Sequence, residues 1–327
     1  MKDVGIVGMP YAGKTTLFVA LTRSGSAGGR ANQAVVDVPD ERLEVLSKIE
    51  KSKKTVHAKV RFVDVPGGLT AQGVAEYRQT DALCLVVRGF GDDAQPATEL
   101  ANVQAELLLA DLASIESGVE KARKRARGSQ EGKVELAVLE QAHALLEEER
   151  PLRKGDFDAA AQKILRGYGP LTLKPWIVVV NTEEGAQATS DGLPEEALAV
   201  SASLEAEVAG LSSDEAAELL AGFGIDEPGL DRVIARCYRA LDLITFLTTG
   251  EDETRAWEVR RGAKAPEAAG VIHSDLERGF IRAEVVAYED LVEAGSWDAA
   301  RSQGLLRVEG KDYEVKEGDV LNIRFAV

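Results

Sequence analysis

The sequence predicts an α/β protein: a parallel sheet interrupted by a helical hairpin and followed by a small α+β module. Three observations carry this. Apolar runs of strand length alternate with helix-length amphipathic segments through most of the first 242 residues. Residues 97–150 are instead rich in Leu, Ala, Glu, Lys and Arg at helical spacing. From residue 243 the texture changes to short strand-like runs. The expected divisions are 1–96 and 168–242 for the parallel α/β domain, 97–167 for the inserted hairpin and 243–327 for the C-terminal module. A chain of 327 residues accommodates them at about 100–200 residues per domain.

The elements follow in order. Residues 3–9 (DVGIVGM) read as a buried strand, and 14–23 as the next helix, with Leu17, Phe18, Ala20 and Leu21 on one face. The Gly/Ser/Ala-rich stretch 24–32 reads as a loop. A short strand at 35–38 and a helix at 40–49 come next. Residues 58–65 (AKVRFVDV) alternate as a strand does and end in the turn Pro66-Gly67-Gly68. A short helix over 72–79 leads to the apolar strand 81–87 (DALCLVV).

In the hairpin, Leu100, Val103, Leu107, Leu108, Leu112 and Ile115 recur at spacings of mostly three and four. The pattern breaks at Gly128-Ser129 and resumes over 133–149, as two long helices joined by a tight turn would. A helix at 158–166, a strand at 175–181 (PWIVVVN), a short strand at 198–201 and helices at 213–223 and 228–241 complete the α/β part. In the module, strands are expected at 243–249, 255–259, 282–287, 305–308, 314–315 and 320–325, with a short helix opening at Val271-Ile272-His273.

Composition narrows the function classes. The chain is 45% hydrophobic and 29% charged, with a net charge of −16 and a pI near 4.8. An acidic surface disfavours non-specific nucleic-acid binding, and the C-terminal module carries more Asp and Glu than Lys and Arg. The basic cluster Lys121, Arg123, Lys124, Arg125 and Arg127 has two readings: compensation of a helix C-terminus, or contact with RNA or an acidic partner at the hairpin tip. Cys84 and Cys237 lie in apolar stretches and read as buried small hydrophobes. His57, His143 and His273 show no metal-ligand spacing. His273 reads as a cap or packing residue of the module, and Trp257 as part of its core. No apolar run reaches the roughly 18–20 residues that span a bilayer, so a cytoplasmic location without membrane attachment is expected.

The chemistry is concentrated in three places. Gly8-Met9-Pro10-Tyr11-Ala12-Gly13-Lys14-Thr15 has the P-loop pattern, placed between a strand and a helix. Its glycines permit a tight turn whose backbone N–H groups cradle phosphate oxygens, at a helix N-terminus that favours anions. Lys14 would reach the β- and γ-phosphates, and Thr15 would offer its hydroxyl to Mg²⁺. Asp64-Val65-Pro66-Gly67 ends the strand 58–65, where an Asp can hold Mg²⁺ and the Gly amide can sense the γ-phosphate. Asn181-Thr182-Glu183-Glu184 follows the strand 175–181, the place of a base-recognition motif. The GTPase form of that motif ends in Asp, which accepts from guanine. Glu184 is one methylene longer and leans away from guanine. Ser201-Ala202 ends the next strand and would back the base.

The order of these motifs resembles the Obg-like ATPase (YchF) family. So do Glu106-Leu107-Leu108-Leu109-Ala110-Asp111-Leu112, Gly229-Leu230-Asp231, Arg255-Ala256-Trp257, the run from Ala265 to Asp275, Gly279-Phe280-Ile281-Arg282-Ala283-Glu284-Val285 and Glu309-Gly310-Lys311-Asp312-Tyr313. The resemblance covers nearly the whole chain. It implies a P-loop NTPase G domain with an inserted coiled-coil hairpin and a C-terminal β-grasp (TGS-like) domain. It further implies ATP binding and slow hydrolysis in preference to GTP, association with ribosomes or ribosomal RNA, and a monomer. The expected nucleotide contacts are Gly8, Met9, Pro10, Tyr11, Ala12, Gly13, Lys14, Thr15, Thr16, Asn181, Thr182, Glu184, Ser201 and Ala202. Lys14 and Gly67 are the expected catalytic groups, and Thr15 and Asp64 the metal ligands.

The chain also departs from the family pattern. Tyr11 stands at the family's Asn, which in related enzymes helps hold a potassium ion. Residues 24–36 contain no Thr to serve as the switch ligand to Mg²⁺. The Gly-rich loop after Asp64-Val65-Pro66-Gly67 is cut to residues 68–74, and Gly68 occupies the place where many GTPases carry a catalytic Gln. Phosphate charge would be neutralised, whereas no group that positions water is evident. Three readings follow: a slow Mg²⁺-dependent ATPase switch, a catalytically degenerate nucleotide-binding scaffold, and a GTPase.

Overall fold

The computed structural model describes residues 1–24, 26–27, 32–65, 67–186 and 192–326. Most of the loop read at 24–32, and Pro66 of the expected turn, lie outside the described residues. The chain divides into two compact units. One comprises Lys2–Val36 and Arg61–Cys237; the other comprises Met1, Asp37–Val60 and Tyr238–Val327. The segment Asp37–Val60, read from sequence as part of the N-terminal α/β domain, therefore clusters with the C-terminal module.

In chain order the elements begin with β1 (Lys2–Val7), α1 (Lys14–Ser24), β2 (Ser26–Ala27), β3 (Gln33–Asp37), α2 (Arg42–Glu50), β4 (Thr55–Val56) and β5 (Lys59–Asp64). They continue with α3 (Ala71–Tyr77), β6 (Ala82–Gly89), α4 (Pro96–Arg125), α5 (Gln130–Glu147), α6 (Ala159–Arg166), β7 (Trp176–Thr182) and β8 (Leu198–Val200). Next come α7 (Ala202–Val208), α8 (Ser213–Gly222), α9 (Gly229–Ala240), β9 (Leu243–Thr248), β10 (Thr254–Arg260), α10 (Ala265–Ile272), α11 (Ser274–Arg278) and β11 (Phe280–Ala287). The last are α12 (Tyr288–Ala294), α13 (Trp297–Ser302), β12 (Arg307–Glu309) and β13 (Asp319–Phe325).

The larger unit is built on a seven-stranded sheet ordered β2-β3-β5-β1-β6-β7-β8. β1, β6, β7 and β8 pair in parallel, and β2 with β3 antiparallel. The chain leaves β1 toward β3 and β5, then returns to β6 on the other side of β1. That reversal makes β1 the switch point, where ligands of open α/β sheets bind beyond the strand carboxyl ends. On β6 the side chains alternate, so Leu83, Leu85 and Val87 share one face. They form a core with Val178 and Val180 of β7 and with Leu100, Val103 and Leu107 of α4.

The hairpin is confirmed as two antiparallel helices. α4 is 30 residues long, about 45 Å at 1.5 Å per residue. Its first turns belong to the sheet core. From Ile115 onward its apolar face packs instead on Leu139, Ala142 and Leu146 of α5 and on Leu165 of α6. α5 starts at Gln130, earlier than the expected 133, because Ser129 caps it by accepting from the Gly132 N–H at 3.0 Å. A Cβ at Gly132 would lie 2.7 Å from the Arg125 carbonyl carbon, so only glycine lets the turn close this tightly. Within the basic cluster, Arg123 pairs with Glu120 and Glu140, and Arg125 with Glu135. These pairs favour the intra-hairpin reading for those two arginines.

Asp111 sits where α4 passes from one core to the other. It is fully buried and accepts from the Leu171 N–H (2.9 Å), the Thr172 N–H (2.7 Å) and Arg78 Nη1 (3.1 Å). Burial pushes its carboxyl above the ordinary range, and the hydrogen bonds from Thr172 and Leu171, with the Arg78 charge, oppose that rise.

The second unit carries a six-stranded mixed sheet ordered β12-β11-β13-β9-β10-β4. β9 and β10 form an antiparallel pair, β13 runs parallel to β9, and β11 pairs antiparallel with β13. α10 lays Ala265, Ala268 and Ala269 on a core with Phe246, Val259, Ala283 and Val285. This is the expected β-grasp arrangement, with differences in detail. The helix expected to open at Val271 is instead α10 ending at Ile272. His273 then caps α11, its Nδ1 accepting from the Asp275 N–H at 3.1 Å. Residues 314–315 form no strand; Glu314 makes a single bridge to Lys264. Trp257 packs on the core and stacks with Phe246, as expected. Cys84 and Cys237 are both buried and free.

Replacing Asp111 by Ala should leave the Leu171 and Thr172 N–H groups without an acceptor and the Arg78 charge without its carboxylate, and lower stability by about 3 kcal/mol. Urea denaturation followed by circular dichroism checks this, and an unchanged midpoint would show that the contact carries no stability.

Candidate nucleotide-binding site

Every chemistry-bearing motif lies at the carboxyl end of a strand of the larger sheet: the P-loop after β1, Asp64 at the end of β5, Asn181 on β7 and Ser201 after β8. Two glycines make the P-loop close enough to its neighbours. A Cβ at Gly8 would sit 2.2 Å from the Val86 carbonyl oxygen of β6. Gly13 has φ +88°, and a Cβ there would lie 2.0 Å from Asn181 Nδ2. Neither position admits a side chain.

Tyr11 also has positive φ (67°) and is 91% exposed. Asn adopts that conformation more readily than a bulky residue does. Tyr11 therefore holds the backbone shape of the loop without a side-chain role inside it.

Lys14 Nζ donates to the Met9 carbonyl at 2.8 Å, folded over the loop it closes. Burial lowers its pKa, while the charges of Asp64 and Glu99 raise it. Thr15 Oγ1 donates to Asp64 Oδ2 at 3.4 Å, bringing the two expected metal ligands together. Burial pushes the Asp64 carboxyl up against the opposing effects of Lys14 and Thr15. Asn32 fixes the end of β5: its Nδ2 donates to the Asp64 carbonyl at 2.9 Å, and the Asp64 N–H donates to the Asn32 carbonyl at 3.1 Å.

One hydroxyl and one carboxylate are hard oxygen donors of the kind Mg²⁺ takes. That ion commonly binds through one or two protein groups plus phosphate and water. Among the described residues no group of three or more His, Cys, Asp or Glu offers a denser metal site.

On the other side of the loop, Asn181 is 6% exposed and uses both ends of its amide. Its Nδ2 donates to the Ala12 carbonyl at 3.1 Å, and its Oδ1 accepts from the Ala202 N–H at 2.9 Å. Ser201 caps α7 by accepting from the Leu204 N–H. Ser201 and Ala202 thus hold Asn181 and the turn, while Ser203 Oγ lies 3.5 Å from Glu184 Oε1. Thr182 is buried, with Oγ1 donating to the Ala186 carbonyl at 3.3 Å.

Two cavities flank the P-loop. One of about 620 Å³ is lined by Gly13, Thr16, Phe90, Asn181, Glu184 and Ser203. The other, of about 550 Å³, is lined by Lys14, Thr15, Asp64, Gly67, Thr70 and Glu106. Both fall in the size range of small-molecule sites. The first has the polar edge and apolar wall suited to a base, and the second the cation and hydroxyl suited to phosphates. Of the residues expected from sequence, Gly8, Met9 and Pro10 also line the second cavity, and Thr182 the first. Ala12 and Tyr11 line neither.

The sequence reading passed over Phe90, Gly91 and Ser203, and gave Glu183 and Glu106 no site role. Phe90 and Gly91 directly follow an apolar strand, so the strand-end rule alone would have flagged them. The Gly91 N–H donates to Glu183 Oε1 at 3.1 Å, which fixes the wall of the first cavity.

Comparison with known proteins assigns the chain to a family. Residues 3–116 match the family model MMR_HSR1, described as a 50S ribosome-binding GTPase. Residues 243–326 match YchF-GTPase_C, described as a protein of unknown function (DUF933). The ribosome-binding ATPase YchF of Bacillus subtilis is 38% identical over 361 aligned positions, with 99% of each chain covered. That of Pasteurella multocida is 39% identical, again with 99% of each covered. The alignment with the Bacillus protein is longer than the 327-residue chain, so that relative carries insertions relative to it. Among solved structures, the YchF GTPase of Schizosaccharomyces pombe superposes with a TM-score of 0.90 at 32% identity, covering 99% of this chain and 97% of that one. The chain belongs to the YchF family of P-loop nucleotide-binding proteins.

Proposed function

We propose that this chain binds ATP with Mg²⁺, hydrolyses it slowly and acts as a nucleotide-dependent switch on the ribosome. The observation that carries the reading is the convergence of Lys14, Thr15 and Asp64 on one side of the P-loop with Asn181 and Glu184 on the other. The ribosome enters through the names of the relatives, which are ribosome-binding ATPases.

Phosphate oxygens would be received by the N–H groups of residues 13–16 at the start of α1 and by Lys14. Thr15 and Asp64 would hold Mg²⁺, which supplies charge neutralisation on the β- and γ-phosphates. The Gly67 N–H would report the γ-phosphate. The base would lie against Asn181, Thr182 and Glu184, with Ser201 and Ala202 supporting Asn181 from behind. Glu184 accepts hydrogen bonds from an amino group, but its extra methylene displaces the carboxylate from where guanine needs it. That supports ATP over GTP.

In this reading residues 2–36, 61–96 and 168–237 form the nucleotide-binding domain, 97–167 a hairpin that reports its state, and 37–60 with 238–327 a TGS-like platform. The protein works as a cytoplasmic monomer. No helix among the described residues is long and apolar enough to cross a membrane. A second reading, a nucleotide-binding scaffold without turnover, is favoured by Gly68, which puts no side chain where many GTPases position water.

Lys14→Ala should reduce ATP turnover to the uncatalysed background and weaken ATP binding. Phosphate release with and without ribosomes checks this, and chelation of Mg²⁺ should silence the wild type equally. Wild-type turnover no higher than that of Lys14→Ala under both conditions would favour the scaffold.

Glu184→Asp should move the ATP-to-GTP affinity ratio toward GTP by about tenfold or more. Competition titrations measure it, and a wild type that already prefers GTP would sink the adenine assignment. Asn181→Ala leaves the Ala12 carbonyl and the Ala202 N–H without their partner. At about 2 kcal/mol, binding of both nucleotides should weaken roughly thirtyfold.

A further inference from the structure

The phosphate-side cavity contains a carboxylate for which no role has been given. Glu106 lies on α4, in the first arm of the hairpin, exposed at the edge of the face that Val103 and Leu107 bury in the sheet core. It lines the same cavity as Lys14, Thr15, Asp64, Gly67 and Thr70. We propose that Glu106 is the group that positions and deprotonates the attacking water, in place of the glutamine absent at Gly68. This rests on the ATP-hydrolysing reading above.

The other described residues lining that cavity leave little choice. Asp64 is engaged with Thr15 and placed for the metal. Thr70 Oγ1 accepts from the Gly73 N–H at 3.4 Å as the cap of α3. Gly8, Gly67 and Gly68 have no side chain, Met9, Pro10, Val65 and Leu69 offer no strong acceptor, and Lys14 only donates. Glu106 is the remaining side-chain acceptor in the cavity.

Its charge suits the task. A carboxylate is repelled by a triphosphate, so the two stand apart rather than touching, and a water between them is drawn to both. In the step, the water oxygen bonds to the γ-phosphorus as the bond from that phosphorus to the β,γ-bridging oxygen breaks. The electron pair leaves on the β-phosphate of ADP. The water proton goes to the Glu106 carboxylate and then to the phosphate released. Because α4 is one helix from this cavity to the hairpin tip, the catalytic carboxylate rides on the element a partner can grip. Loading of the hairpin would therefore alter turnover through Glu106.

The test uses the full-length protein and compares wild type with Glu106→Gln and Glu106→Asp. Four readouts are needed: phosphate release, binding of a fluorescent ATP analogue, the Mg²⁺ concentration for half-maximal turnover, and thermal melting. Glu106→Gln should lower kcat by about 10²-fold, within the range for loss of a general base. Analogue affinity should stay within about threefold, which separates a lost catalytic interaction from lost binding. Glu106→Asp should recover part of the rate, and ribosomes should stimulate wild type more than Glu106→Gln.

Turnover of Glu106→Gln equal to wild type would overturn the proposal while leaving the ATPase reading intact. A raised Mg²⁺ requirement in Glu106→Gln would overturn it in favour of a metal ligand. Loss of analogue binding or of the melting transition in both variants would overturn it in favour of a structural role. Wild-type turnover no greater than that of Lys14→Ala would overturn it together with the ATPase reading.

Discussion

The site depends on one amide. Asn181 donates to the Ala12 carbonyl with one end of its side chain and accepts from the Ala202 N–H with the other. These two bonds fasten the P-loop, β7 and the turn before α7 to one another. They also set the wall on which a base would rest, since Gly13 approaches Asn181 so closely that any Cβ would collide with it. A buried amide that satisfies two backbone groups at once is costly to misplace, because each backbone group is desolvated and has no water to fall back on. The P-loop and the end of β7 are thereby held in one fixed spacing.

A second constraint acts through α4. This helix begins beside the site, contributes Leu100, Val103 and Leu107 to the sheet core, and only then turns its apolar face to the hairpin. Asp111 marks the crossing. It ties α4 to the segment at Leu171 and Thr172 and to Arg78, the residue that ends α3. α3 begins at Ala71, shortly after Asp64, so it links the strand end that carries Asp64 to the Arg78–Asp111 contact at the root of the hairpin. The contact is not chosen for stability alone. Burying a carboxylate is expensive even when it is paired, and an apolar contact would hold two helices at lower cost.

Long elements were legible from sequence because their patterns are local. The period of β1, β6 and β7, and the three-and-four spacing along α4, follow from side chains that must face one core. The P-loop, Asp64 and Asn181 were legible for a different reason: each stands in a short motif of restricted residue types at or directly after the end of an apolar strand. What escaped were elements without a local signal. β4 is two residues long and exists because β10 offers an edge to pair with. α12 starts at Tyr288, where the N-cap residue Ala287 offers no side-chain cap, and α7 is short and follows directly on a strand. Residues 314–315 have a strand-like composition but make only an isolated bridge, Glu314 to Lys264, rather than a ladder.

The sequence by itself determined the P-loop pattern, the order of the motifs and the place of Glu184 after the Asn181 strand, because each rests on residue type and near neighbours. Only the tertiary structure decided that Tyr11 points away from the loop it belongs to and that Ser201 serves a helix cap rather than the pocket. It also decided that Glu106, forty-two positions from Asp64 in the chain, shares a cavity with it. These are consequences of how β5 and α4 are packed on one sheet, and no periodicity along the chain encodes which residues from distant elements meet at its carboxyl edge.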